Sequence, residues 1–350
     1  MFKTIAPLQE VLEHLVAEGL ITAAGSTRIA DLSDTPSEAA TPWYIRGLIG
    51  LGGWFAALFF IGFLTVAEII TDSTGAMIVG AIFCVVGVGI KGIRPTSVFA
   101  GQLALAISLA GQLMFIFGFW DKTNNVPLTI IVTIGLETLL FIFYADKLHR
   151  FLSAVVICWA LFWLFIDLEV ADLSHLLVIL LAGGTILLWH FQARLVTSPL
   201  SPYFRPLGYA LPVALFGFLL LSFTDDYDIK WWWLSAVGLL AALYYLEYLV
   251  LDHHRISWRT TPVVWVLTGT LLLLIPAIQT PGILAALIVL LVGYYRGNRL
   301  LLGLATAFLA IFLIGYYYNL ELTLLTKSFV LMGTGLILLV IRYVAIERED

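Results

Sequence analysis

About a dozen apolar segments, each long enough to cross a lipid bilayer, follow one another along most of this chain. The hydrocarbon core of a bilayer is about 30 Å thick, so roughly 20 apolar residues in a helix span it. Of the 350 residues, 61% are hydrophobic and 12% are charged, too few polar residues to cover a water-soluble domain. The sequence therefore predicts an all-α fold, a polytopic transmembrane helix bundle in contact with the lipid bilayer. The predicted spans are 46–67, 75–91, 97–119, 127–145, 151–167, 174–191, 206–223, 231–251, 262–279, 281–295, 300–317 and 327–344.

The basic residues give this bundle a predicted orientation. All but three of the 18 Lys and Arg residues lie near or before the start of the first span, near or after the end of the last span, or at every second gap between spans. The exceptions are Lys122, Lys230 and Lys327, and the gaps of this second kind carry acidic residues and aromatic runs. Lys and Arg accumulate on the cytoplasmic side of membrane proteins. We therefore expect an even number of crossings, about 12, with both termini in the cytoplasm.

The first 42 residues differ in kind from the rest. Leu8 to Glu18 place apolar residues at helical spacing with glutamates on the other faces, which predicts a short amphipathic helix. A second short helix and a polar linker follow it. We expect a cytoplasmic helical hairpin and linker at 1–42 and the transmembrane bundle at 43–350. Because the second helix carries no basic residue except Arg28, and the chain has no basic tract, we expect no nucleic-acid binding.

A faint repeat of four spans divides the bundle into possible tandem blocks at 46–147, 151–252 and 262–344. In each block the second span runs into a basic turn, and a third span follows. The first two blocks close on related turns, DKLHR at 146–150 and DHHR at 252–255. Because each block has an even number of helices, the copies would be parallel, related by an axis along the bilayer normal.

Two glutamates lie inside the predicted hydrocarbon region. Glu137 is near the middle of the fourth span, and Glu247 occupies the equivalent span of the next block. An ionised carboxylate at this depth is unfavourable, so each must face the bundle interior, be paired or be protonated. Two interpretations stay open. One is a proton- or cation-handling site centred on Glu137; the other is a structural carboxyl hydrogen-bonded to a neighbouring helix, with Gln102 and Gln112 as candidate partners.

Motifs for catalysis, metal binding or cofactor binding are absent from the sequence. The histidines near Asp146 and Asp252 lack the HxxxH or HExxH spacing that directs two imidazoles at one ion, so we expect no metal. Nucleophile elbows, P-loops and dinucleotide fingerprints are also missing, so we assign no catalytic residue and expect no cofactor. In the third span, Ala100, Ala104 and Ser108 recur at helical spacing and predict a close helix crossing.

The amino-terminal hairpin ending in EGLIT and the closing sequence YYYNLELTLLTKSFVLMGTGLILL resemble a bacterial multi-pass family, domain of unknown function 4401, and its relatives with a similar hairpin. The resemblance covers nearly the whole chain. It implies a bacterial inner-membrane protein without an assigned activity, often encoded beside an envelope protein with a GDYxxLxxY motif, which would be its periplasmic partner. It also makes part of the last outer segment a candidate for partner contact or bundle closure: Tyr317, Asn319, Glu321, Thr326 and Lys327.

Three classes of function remain open from the sequence. The first, which we expect, is a scaffold or subunit of a membrane complex with an envelope partner, favoured by the short loops and the lack of buried ion pairs. The second is a secondary transporter for a small solute or cation that uses Glu137, although the turn KGIRPTS after the second span lacks the major facilitator signature. The third, an intramembrane enzyme acting on lipid, needs a cluster of polar residues at one depth, so we do not expect an enzyme.

Overall fold

The computed structural model describes residues 8–18, 72–93, 97–224, 229–253, 260–278 and 280–319, together with 26, 48, 51, 52, 54–56, 58–60, 62, 63 and 255. Over these residues all regular structure is helical. The helices are α1 Leu8–Ala17, α2 Ser73–Ile93, α3 Val98–Thr123, α4 Val126–Phe143, α5 Lys147–Asp167, α6 Ser174–His190, α7 Gln192–Val196, α8 Ser201–Leu220, α9 Trp233–His253, α10 Thr261–Leu272, α11 Leu274–Ala277, α12 Gly282–Tyr295 and α13 Arg299–Asn319. Single 3-10 turns cover Ala171–Leu173 and Leu221–Phe223.

Among the described residues, eight helices are long and apolar enough to cross a membrane, namely α2, α3, α4, α5, α6, α8, α9 and α13. Each coincides with a predicted span, so the multi-pass, all-helical fold class is confirmed for the described part of the chain. The total of about 12 spans and the orientation of the termini stay predictions. The last predicted span and most of the first lie outside the described residues, as does the hairpin beyond α1 except for Glu18 and Ser26.

The region predicted to form spans 262–279 and 281–295 differs from the prediction. Helix α10 ends at Leu272, and α11 is a separate piece of four residues. Pro276 lies in α11 and has no N–H to donate to the Leu272 carbonyl, so one helical hydrogen bond is missing where α10 ends. Helix α12 has 14 residues and covers about 21 Å, which is less than the hydrocarbon thickness.

Two compact units divide the chain, one of Met1–Thr71 with Val79–Leu113 and one of Asp72–Ile78 with Met114–Asp350. In the second unit, α6, α8 and α12 contribute most to an apolar core that also includes side chains of α5, α9 and α13. Helix α4 packs against α5, and α13 packs against α12. The largest fully buried core side chains include Phe216, Leu219, Leu284, Ile288 and Phe312.

In the first unit, α2 and α3 cross at small residues. A Cβ on Gly111 of α3 would lie 2.6 Å from the carbonyl oxygen of Gly80 on α2. A Cβ on Gly87 would lie 2.9 Å from the Ala104 carbonyl oxygen and 2.9 Å from Ser108 Cβ. The close crossing predicted from the small-residue spacing of the third span is therefore confirmed at Ala104 and Ser108.

Helix α8 continues through two internal prolines, Pro206 and Pro212. A proline has no N–H, so the carbonyl four residues earlier loses its helical hydrogen bond. For Pro206 that carbonyl belongs to Pro202, and it accepts a hydrogen bond from Arg150 Nη1 on α5 at 3.4 Å. A side chain of a neighbouring helix thus replaces the missing backbone donor.

The second proline is compensated in the same way from the other neighbour. Pro212 frees the carbonyl of Gly208, which accepts a hydrogen bond from Trp189 Nε1 on α6 at 3.0 Å. The indole comes so close that a Cβ on Gly208 would lie 3.2 Å from Trp189 Cζ2. Helix α8 therefore packs between α5 and α6 through bonds that its prolines make available.

In the second unit, contacts between helix ends connect ends that have the same charge character. We call the helix ends that carry Lys147, Arg205 and Arg299 the basic ends, and the opposite ends, near Asp172, the acidic ends. Between basic ends, Arg296 Nη2 donates to the His190 carbonyl at 2.7 Å. Between acidic ends, the Lys230 N–H donates to Asp172 Oδ1 at 3.1 Å. This pairing is what a chain that alternates across a membrane requires.

Candidate functional site

A cluster of buried polar side chains lies at the basic end of the α4–α5 hairpin. Its five members are each at most 7% exposed. We call this the hairpin cluster, and it consists of Glu137, Tyr144, His149, Arg150 and Ser153. Polar groups buried in a membrane-crossing hairpin are unfavourable unless they are hydrogen-bonded within the protein, because hydrocarbon offers no partner.

The hairpin brings Glu137 and Ser153 to one depth. Glu137 lies six residues before the end of α4 at Phe143, and Ser153 lies six residues after the start of α5 at Lys147. At 1.5 Å per residue, both are about 9 Å inside the basic end. The Glu137 carboxyl lies near the Ser153 hydroxyl, which is the polar side chain that acts on it. Its second oxygen, Oε2, is buried and has no hydrogen-bond partner among the described residues.

Ser153 also contacts a histidine one helical turn away. Its Oγ lies 3.2 Å from Nδ1 of His149, so one hydroxyl connects a carboxyl to an imidazole. The His149 ring stacks on Tyr144, with ring centroids 4.0 Å apart and planes 14° apart. Burial, and secondarily the negative charge of Asp146, raises the pKa of the Tyr144 hydroxyl, which therefore stays neutral beside the imidazole.

Arg150 closes the basic end of the cluster. The last carbonyls of α4 have no partner within the helix. Arg150 supplies partners, because its Nε donates to the Phe141 carbonyl at 3.0 Å and its Nη2 to the Ile142 carbonyl at 3.2 Å. Its guanidinium also lies over the Tyr203 ring of α8, 4.3 Å from the ring centroid. The arginine thereby fixes the α4–α5 turn against α8.

The arrangement of Glu137, Ser153 and His149 can relay a proton. A serine hydroxyl accepts and donates hydrogen bonds, and the neutral imidazole accepts at one nitrogen. When a neutral Glu137 gives its proton to Ser153 Oγ, the hydroxyl gives its own proton to His149 Nδ1. The net result is one proton moved from carboxyl to imidazole, with Ser153 regenerated.

An open groove approaches the cluster from the acidic end. It has a volume of about 590 Å³, lies along α4 and α5, and extends from Val126 and Asp167 to Thr133. Its walls are mainly apolar and include Trp159 and Trp163. Thr133 is one helical turn from Glu137 on the same helix, so the groove ends close to the depth of the carboxyl.

The second predicted glutamate has a related environment. Glu247 Oε1 on α9 accepts a hydrogen bond from Thr270 Oγ1 on α10 at 2.6 Å. One turn away, the Tyr244 hydroxyl donates to the Leu267 carbonyl at 2.8 Å. The Oε2 atom of Glu247 is buried and has no hydrogen-bond partner in the described part of the chain. Each of the two glutamates thus has a hydroxyl of the following helix beside it.

The other predicted residues are placed as follows. Gln112 is buried, and its Nε2 donates to Ser108 Oγ of its own helix at 3.4 Å, while Gln102 is half-buried. Tyr317 is half-buried near the end of α13. Asn319 is the last residue of α13, and Glu321, Thr326 and Lys327 lie outside the described residues. In the described part, no three His, Cys, Asp or Glu side chains converge as metal ligands would.

Sequence reasoning missed four members of the hairpin cluster: Tyr144, His149, Arg150 and Ser153. The fifth span was predicted to begin at residue 151, which left His149 and Arg150 in a turn. Helix α5 begins earlier, at Lys147, because Asp146 Oδ1 accepts hydrogen bonds from the backbone N–H groups of residues 148 and 149. The four-residue spacing of His149 and Ser153 was the available signal, since such residues share one face of a helix.

Comparison with known proteins gives one match. The family model described as domain of unknown function 4401 matches residues 42–346, which confirms the resemblance drawn from the sequence. The match begins next to residue 43, where the predicted bundle begins. No curated protein and no solved structure is significantly similar to the chain.

Proposed function

We propose that this chain, which belongs to the family of domain of unknown function 4401, is an integral membrane protein that passes protons through the hairpin cluster. The observation that carries the proposal is the series of neighbouring polar groups formed by Glu137, Ser153 and His149 inside a hairpin of two membrane-crossing helices. Ionisable residues are costly inside a membrane, and where they occur they mark ion pathways and proton relays.

The proposed pathway runs from the acidic ends to the basic ends. The groove at Thr133 admits a proton to Glu137, and the Ser153 hydroxyl relays it to His149. Arg150 and Tyr144 enclose the imidazole at the basic end, so release of the proton requires local movement there. A secondary transporter can use such a proton pathway to drive the movement of a small solute or cation.

The direction follows from the proposed topology. With about 12 spans and both termini in the cytoplasm of a bacterial inner membrane, the basic ends face the cytoplasm. Protons then pass from the periplasm inward, down the gradient that a bacterial inner membrane maintains. Support comes from the contacts that join basic ends with basic ends and acidic ends with acidic ends.

Proton flux into liposomes that contain the purified protein tests this proposal. A potassium-diffusion potential drives the flux, and a trapped pH-sensitive dye reports it. We expect the wild type to exceed protein-free liposomes, and Glu137→Gln and Ser153→Ala to abolish the excess. Thr138→Ala is the matched control, because Thr138 is on the same helix, exposed and outside the cluster. A wild-type flux equal to that of protein-free liposomes, or full flux in Glu137→Gln, contradicts the proposal.

A second candidate function is that of a subunit of a membrane complex with a periplasmic envelope protein. Helix α13 favours this candidate, because exposed apolar side chains follow the helix as far as Tyr318. Tyr318 lies beside the predicted contact segment. A photoreactive residue in place of Tyr318 should then cross-link to an envelope protein with a GDYxxLxxY motif. The same photoreactive residue in place of Tyr294, which is equally exposed but lies near the basic end of α12, should not cross-link to that protein. Equal cross-linking from both positions contradicts this candidate.

A further inference from the structure

We propose that Glu247 and Thr270 form a second proton-binding site, separate from the hairpin cluster. The proposal goes beyond proton passage at Glu137, because it concerns different helices and holds whether or not the hairpin cluster conducts. Its ligand is a single proton on the Glu247 carboxyl. Three features of the described residues carry it: the bonding of the carboxyl, the interruption of α10 and the depth of the site.

The first feature is the bonding of the carboxyl. Thr270 is buried, and its hydroxyl donates to Glu247 Oε1 at 2.6 Å. No ion pair joins Glu247 to a described Lys or Arg, and its Oε2 is buried without a described partner. In the ionised form, Oε2 therefore carries negative charge without a hydrogen-bond donor, whereas a proton on Oε2 removes that charge.

The second feature is the interrupted helix beside the carboxyl. Helix α10 ends at Leu272, and Leu273 separates it from α11. Thr270 lies in the last turn before this break. In membrane transporters, coupling-ion sites are typically formed where a membrane helix is discontinuous, because the freed backbone groups line the site. The Tyr244 hydroxyl, bonded to the Leu267 carbonyl, holds α9 against this part of α10.

The third feature is the depth of the carboxyl. Glu247 lies six residues before the end of α9 at His253, and Glu137 lies six residues before the end of α4 at Phe143. Both carboxyls are therefore about 9 Å inside a basic end. Each glutamate is on the fourth span of a predicted block and has a hydroxyl on the first span of the next block beside it. The predicted repeat thus relates two carboxyl–hydroxyl pairs.

Labelling with a hydrophobic carbodiimide tests the site in the full-length protein reconstituted in liposomes. This reagent modifies protonated carboxyls in apolar surroundings, and peptide mass spectrometry locates the adduct. We expect an adduct on Glu247 whose yield falls as the pH rises. In Thr270→Val the labelling rate should rise about tenfold, because the hydroxyl no longer stabilises the ionised form. Thr268→Val is the matched control, since Thr268 is exposed on the same helix and bonds only its own backbone.

The outcomes separate this proposal from the one at Glu137, because the two adducts lie on different peptides. Equal rates in the two threonine variants, or protection of Glu247 by Na⁺ at constant pH, overturn the proton site. If no adduct forms on Glu247, infrared spectroscopy tests the site instead, through the carbonyl band of a protonated carboxyl. A band present in the wild type and lost in Glu247→Gln supports the site, and the absence of any difference overturns it.

Discussion

Replacing Gly111 with alanine should open the crossing of α2 and α3. The added methyl group would lie 2.6 Å from the Gly80 carbonyl oxygen, 2.7 Å from Phe83 Cβ and 3.0 Å from the Cys84 nitrogen. Two of these three atoms are backbone, so no rotamer change relieves the clash. Ordinary contact begins near 3.4 Å, and the two helices must therefore separate by about 0.8 Å.

The magnitude follows from two opposed terms. Overpacking a close contact costs about 1–3 kcal/mol. Alanine in place of glycine favours the helix by up to about 1 kcal/mol. Where no atom lies near the added methyl group, no overpacking cost offsets this gain. Gly89 on α2 is such a place, because no atom lies within 4 Å of the position its Cβ would take. Both variants gain this helix preference, so we expect Gly111→Ala to be less stable than Gly89→Ala by the overpacking cost of about 1–3 kcal/mol.

Equilibrium unfolding of the purified protein in mixed micelles measures this difference. Sodium dodecyl sulfate is titrated into a mild detergent, and far-ultraviolet circular dichroism follows the loss of structure. The free energy of unfolding of each variant is compared with that of the wild type. Equal free energies for the Gly111 and Gly89 variants would refute the close crossing, since both substitutions add one methyl group to a helical glycine.

Two further predictions concern the hairpin cluster and use the same unfolding assay. Arg150→Met should lower the free energy of unfolding by about 3 kcal/mol or more, because it removes charged donors to the last carbonyls of α4. The control Arg205→Met, at an exposed position of α8, should change this free energy by less than about 0.5 kcal/mol. Similar losses in both variants would contradict the role of Arg150. The pKa of Tyr144 is raised in the folded state, so its contribution to the free energy of unfolding is intact below about pH 10 and is lost as the pH rises beyond that value. Above about pH 10, Tyr144→Phe should therefore lose less stability than the wild type. Parallel pH profiles of the two proteins would contradict this prediction.

Apolar length predicted the membrane-crossing helices because it is the property that selects them. A run of about 20 apolar residues satisfies its backbone only as a helix in lipid, so the eight long helices could be placed from the sequence. Hydropathy does not register a missing N–H, and it therefore predicted a continuous span across Pro276. The early start of α5 was missed for a similar reason, since the capping carboxylate of Asp146 is polar and resembles a loop residue.

The candidate site was only partly predictable. Glu137 and Glu247 stand out in the sequence because a carboxyl in hydrocarbon needs an explanation. Their partners depend on register between helices, which the sequence does not display. Ser153 meets Glu137 because the short α4–α5 turn places both at equal distances from its ends, and Thr270 meets Glu247 where α10 is interrupted. Hydroxyl-bearing residues are common in membrane helices, so neither partner could be singled out beforehand.

The two prolines of α8 also bear on how the bundle is assembled. Alone in lipid, this helix would expose the bare carbonyl oxygens of Pro202 and Gly208, each at a cost of several kcal/mol. Arg150 and Trp189 remove that cost, and both belong to segments synthesised earlier. Insertion of α8 is therefore most favourable once α5 and α6 are already in the bilayer to receive it, which ties the order of biogenesis to the order of the chain.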